Sequence, residues 1–149
     1  TSEDNPLGPM LATGDLIQFT CFGSHIIPMI IAPVPLIGTS LITNKPTPVC
    51  VEGDELPPML QIPMPYMDGA FTVPGIGTIN LSLPALNLSQ IVTHGGKAVL
   101  LMGIPFSATF DVTVPAIQPS AVPLPDMNLS KDLLVTYVPV TLPMVMVMV

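Results

Sequence analysis

Arginine and tryptophan are missing from this 149-residue chain, and lysine occurs only at Lys45, Lys97 and Lys131. Charged residues make up 9% of it, against about 25% in an ordinary soluble domain. So few cations exclude a nucleic-acid binder, which must neutralise phosphates, and equally a protein that docks on anionic lipid. The ten acidic residues give a net charge of −7 and are spread along the chain, so no acidic tail forms. A free-standing globule covers itself with charge. This one has too little, and a partner is expected to cover much of its surface.

Long helices are excluded by 20 prolines, each lacking an N–H and disfavouring helix in the residue before it. The same prolines argue against long central strands. Yet 49% of the residues are hydrophobic, too many for a disordered proline-rich chain. What remains is an all-β fold: one domain over residues 1–149, with short strands joined by Pro- and Gly-bearing turns. No basic start followed by an apolar run reads as a secretory signal, and no apolar stretch free of proline reads as a membrane helix.

Residues 38–55 organise the reading. Ser40 to Thr43 is β-prone, Asn44-Lys45-Pro46 supplies turn chemistry, Thr47 to Val51 is a second β-prone run, and Glu52-Gly53-Asp54-Glu55 ends it. A strand is expected near 16–22, another at 71–73, and a half-buried one at 78–83, where Ile79, Leu81 and Leu83 alternate with polar residues. Residues 56–66 and 116–127 read as irregular proline-rich connectors, and 26–37 as extended. A second hairpin, 98–102 with 106–114, matches the first at an offset of 59 and suggests internal pseudo-symmetry. Residues 1–10 read as an arm. Residues 141–149 read as an apolar strand with Met144, Met146 and Met148 on one face and valines on the other, which must be covered on both.

Chemistry-bearing residues are scarce. Cys21, His25, Cys50 and His94 are the only cysteines and histidines, and they are the residue types zinc prefers. Their spacing matches no compact zinc motif. The alternative for each cysteine is a small buried hydrophobe, and for each histidine a turn residue bonded to backbone. A Cys21–Cys50 disulfide is a further alternative. Neither a Ser-His-Asp pattern nor a phosphate-binding glycine loop occurs, so catalysis is not expected.

Gly38-Thr-Ser, Leu-Ile-Thr-Asn-Lys-Pro and Val-Cys-Val-Glu-Gly-Asp54, together with Gly14-Asp15 and His94-Gly95-Gly96, resemble the repeated unit of PAAR and PAAR-like proteins. Asn44-Lys45 lacks that unit's glycine, and no His or Cys follows Asp54. The chain is thus more similar to PAAR-like spike tips of phage-tail-like contractile injection systems, related to type VI secretion. The resemblance implies a small conical β-body, one copy capping a trimeric VgrG-like spike protein. It also implies help in piercing a target membrane, possible effector cargo, and one structural zinc on Cys21, His25, Cys50 and His94. Assembly is expected in the bacterial cytoplasm, with exposure on firing. The competing expectation is a β-rich surface or shell protein that self-associates through residues 141–149.

Overall fold

A computed structural model describes residues 10–39, 48–94 and 96–140, giving the backbone alone at 90–94. The described residues form eleven strands: β1 (Leu16–Cys21), β2 (His25–Ile26), β3 (Val34–Pro35), β4 (Met64–Asp68), β5 (Phe71–Leu81), β6 (Leu88–His94), β7 (Lys97–Leu100), β8 (Phe106–Val114), β9 (Ile117–Gln118), β10 (Leu124–Pro125) and β11 (Ser130–Val138). The only helical elements among the described residues are three single 3₁₀ turns. No described helix is long and apolar enough to cross a membrane. The strand expected at 40–43, the turn at 44–46, the arm up to residue 9 and the strand at 141–149 lie outside the described residues.

Nine strands form one sheet, ordered β10-β9-β5-β8-β11-β1-β3, with β4 on β5 and β2 on β4; β6 and β7 pair separately. Every strand pair in it is antiparallel. The sheet curls into a half-barrel. After β1 the chain needs only Phe22, Gly23 and Ser24 before β2 pairs with β4, on the far side of β5 from β8. The alternating pattern of β11 drives the curl: Lys131, Leu133, Val135 and Tyr137 are buried and the residues between them are not. Phe106, Ala108 and Phe110 of β8 and Ile17 and Phe19 of β1 complete that inner face. Gly77 lets β5 close on β8, since a Cβ there would sit 2.5 Å from the Phe110 ring.

Several expectations are corrected. The segments 98–102 and 106–114 are not a hairpin: β7 pairs with β6, while β8 lies between β5 and β11. Residues 71–73 and 78–81 belong to one eleven-residue strand. The prolines tolerate this length because Pro74 falls between the residues paired to β9 and to β8, and Pro65 lies beyond the short reach of β2. The connector at 56–66 ends in β4, and the one at 116–127 contains β9 and β10. The strand β11, central to the sheet, was not foreseen.

Candidate functional site

Three distant stretches, 10–12, 49–51 and 99–101, meet at one end of the sheet. Met10 bridges to Leu101, Ala12 to Val49, and Val51 to Val99. Their middle residues close a ring. The Leu11 N–H donates to the Leu100 carbonyl at 3.0 Å, Leu100 N–H to Cys50 at 3.0 Å, and Cys50 N–H to Leu11 at 2.9 Å. Each segment therefore donates to one neighbour and accepts from the other, the pattern of a threefold axis built from one chain. Alternation divides the side chains: Leu11, Cys50 and Leu100 enter the main core, whereas Met10, Val49, Val51, Val99 and Leu101 form a second buried cluster. A second, wider set of bonds runs in the opposite sense, with Thr13 N–H donating to Pro48 and Glu52 N–H to Ala98, each at 2.9 Å.

Each segment turns out of this collar at a glycine with positive φ: Gly14 at 99°, Gly53 at 101° and Gly103 at 57°. At two corners an aspartate follows. Asp15 N–H returns to the Ala12 carbonyl, while its Oδ2 accepts Ala12 N–H at 2.8 Å. Asp54 repeats this on Val51, at 3.0 Å for the carboxylate bond. Both carboxylates also hold another segment: Asp15 accepts Val140 N–H at 2.8 Å, and Asp54 accepts Thr39 N–H at 3.0 Å. The third corner has Ile104 where the others have aspartate. There the buried Asn87 substitutes: its carbonyl accepts Leu101 N–H at 2.9 Å and its amide donates to the Met102 and Ile104 carbonyls, both at 3.1 Å. Exposed Ile37, Met102, Ile104 and Val140 flank the collar.

The structural repeat thus has offsets of 39 and 50, not 59: Met10, Val49 and Val99 are equivalent, as are Gly14, Gly53 and Gly103. The signal in the sequence is an apolar β-prone triplet, one residue, then Gly-Asp. Asn87 carries no such signal, because its role depends on a loop brought in from elsewhere.

The opposite part of the half-barrel holds a buried ionic cluster. Lys131 Nζ lies 2.6 Å from Asp126 and 2.7 Å from Asp68, with no exposed side-chain surface. Tyr66 donates to Asp126 at 2.9 Å and accepts the Ala116 N–H; Ser24 donates to Asp68. Burial is the largest single influence and raises the two carboxyls, but the bond and charge of Lys131, together with hydrogen bonds from Ser24 to Asp68 and from Asn128 and Tyr66 to Asp126, hold both below the usual carboxylate range. Burial likewise opposes the Lys131 charge, and the two carboxylates overcome it, raising the ammonium.

The four zinc candidates are distributed as follows. Cys50 is in the collar ring, Cys21 ends β1 and His25 opens β2. The five steps of β1 alone put roughly 17 Å between its ends. His25 Nε2 donates to the Asp132 carbonyl at 3.0 Å, and desolvation pushes the Cys21 thiol up, away from the thiolate a metal needs. Both cysteines are free thiols. Among the described residues no three His, Cys, Asp or Glu side chains group as a metal site, and the His94 side chain is not described, so the described residues do not fit a four-ligand zinc centre.

An all-β body with a threefold collar at one end is the class this architecture defines. The chain belongs to the family described as "Contractile injection system spike tip protein", which matches residues 7–141. A search among characterised proteins found no match.

Proposed function

We propose that the collar is the seat by which this spike tip caps a trimeric, VgrG-like β-spike, one copy per trimer. The closed cycle of backbone bonds through Leu11, Cys50 and Leu100 carries the reading. A symmetric trimer presents three equivalent edges at its end, and a single chain matches them only by repeating one motif about an axis. Apolar Ile37, Met102 and Ile104 are exposed beside the ring, the kind of residue that interface cores favour. The remainder of the body would transmit force as a structural part, without catalysis. On this reading the tip assembles on the spike in the bacterial cytoplasm, helps breach a target membrane when the machine contracts, and offers a place for cargo.

Native mass spectrometry of the tip with a trimeric spike chain tests the seat. One tip per three spike chains is expected, and Ile37→Glu with Ile104→Glu should abolish the complex without unfolding the tip. Three tips per trimer, or undiminished binding by the folded double variant, would overturn it. A zinc shared by Cys21, His25, Cys50 and His94 would require those residues to converge. Metal analysis decides that point, and less than about a tenth of an equivalent removes the zinc, as folding coupled to a structural site demands full occupancy. Self-association through residues 141–149 predicts instead that the isolated chain forms oligomers that disappear when those residues are deleted.

A further inference from the structure

We infer that the outer face of the half-barrel carries a binding site for a neutral saccharide, in a trough across β5, β8 and β11. The trough is shallow, about 350 Å³, and is lined by Asn80, Ser82, Ser107, Thr109 and Asp132. Backbone register puts four of the outward residues in one row. Asn80 pairs with Thr109, Thr109 with Asp132, and the Phe22 N–H donates to the Asp132 carbonyl at 3.0 Å. Neighbouring strands are about 4.8 Å apart, so the row spans roughly 14 Å, the length of one or two sugar rings. It reads amide, hydroxyl, carboxylate, aromatic ring.

Each member suits a polyol. Asp132 is an acceptor with two oxygens, fitted to a pair of sugar hydroxyls, and Thr109 and Ser107 both donate and accept. The Asn80 amide donates to Asp111, which leaves its side-chain oxygen as a further acceptor on a residue that lines the trough. Phe22 is 53% exposed and supplies the apolar face on which the C–H side of a sugar ring stacks. Other ligand classes fit less well. Lys131 points to the opposite, inner face and Lys97 lies on the separate β6–β7 pair, so neither meets an anion there. A cation would find Asp132 without the further ligands it needs, because no described group of three metal-binding side chains exists.

The inference does not depend on the collar or on the spike. It is tested by titrating the isotopically labelled chain with a panel of neutral mono- and disaccharides and following amide NMR signals. At least one sugar is expected to shift Asn80, Ser107, Thr109 and Asp132 together. Asp132→Asn and Phe22→Ala should each weaken that sugar about tenfold or more, as loss of a charge-assisted contact or a stacking face implies, while leaving the spectrum otherwise folded. A panel in which no sugar moves those four signals overturns the inference. So does binding that survives both variants, or a response of the same signals to calcium chloride alone.

Discussion

The collar and the half-barrel are made by one chain under opposite rules. In the collar three stretches, separated by 39 and 50 positions, adopt the same conformation and bond in a cycle. In the half-barrel no element repeats another: β11 lies between β1 and β8, and a single lysine joins two carboxylates from β4 and the approach to β11. On the proposed function, the collar would let one chain face a trimer. Symmetry would be needed only where three equivalent partners are met, and the rest of the body is free to be asymmetric. Specificity is also located differently in the two regions. The collar ring is closed by backbone bonds and its corners by Asp15, Asp54 and Asn87, whereas the half-barrel joins its strands through the Lys131 ion pairs.

The largest expected effect breaks the half-barrel alone. Lys131→Met leaves buried Asp126 and half-buried Asp68 without a counter-ion and should cost about 3 kcal/mol of unfolding free energy, measured by urea denaturation. The pH dependence then sharpens the assignment. Folded Asp68 and Asp126 titrate below their unfolded value of about 3.9, so their contribution is present above that value and disappears as pH falls through the folded ones. Folded Lys131 titrates above its unfolded value of about 10.4, so its contribution is whole below that and disappears as pH rises through the folded one. Wild-type stability should therefore fall on acidification from neutral pH. In Lys131→Met the sign reverses for these two groups, because protonation relieves the repulsion between buried Asp126 and half-buried Asp68. Denaturation curves of both proteins between neutral pH and pH 3 separate the outcomes, and parallel curves would sink the assignment.

A smaller effect belongs to the collar. Asp54→Ala removes the acceptor for the buried Val51 N–H and for Thr39, and should cost about 2 kcal/mol. Unlike Lys131→Met at a temperature where both remain folded, it should also weaken attachment to the spike chain in the native mass spectrum. Equal attachment by both would mean that the corners do not shape the seat.

How much of this was legible follows the same division. The all-β class came from the prolines, and the second half of strand β5 from the alternation of Ile79 and Leu81 with polar residues. The Gly14-Asp15 and Gly53-Asp54 corners stood out in the sequence because a local turn needs local residues. The third corner was hidden, since Leu101-Met102-Gly103-Ile104 has no aspartate and its substitute, Asn87, arrives from a separate loop. Strand β11 was hidden for a related reason: Lys131 on the buried face interrupts an otherwise apolar alternation, and only the fold reveals that two carboxylates await it. The zinc expectation was built from residue types and the family resemblance, and where Cys50 in the ring lies relative to Cys21 at the end of β1 is long-range information that spacing does not hold.

The finest test of the comparison sets one corner glycine against another. Gly53 has a φ of 101° with nothing within 4 Å of a would-be Cβ, so Gly53→Ala meets backbone strain only, about 1–2 kcal/mol. Gly103 has a φ of 57°, the left-handed region that side chains tolerate better. By strain alone its alanine variant would be the milder. A Cβ at Gly103 would, however, lie 2.5 Å from the Asn87 side chain, which is buried and bonded to both flanking carbonyls. Displacing it leaves those carbonyls unpaired at a further cost of about 1–3 kcal/mol. Urea denaturation should therefore rank Gly103→Ala as the more damaging. The reverse order would mean that Asn87 is a filler and that the third corner, like the other two, is made by its own turn.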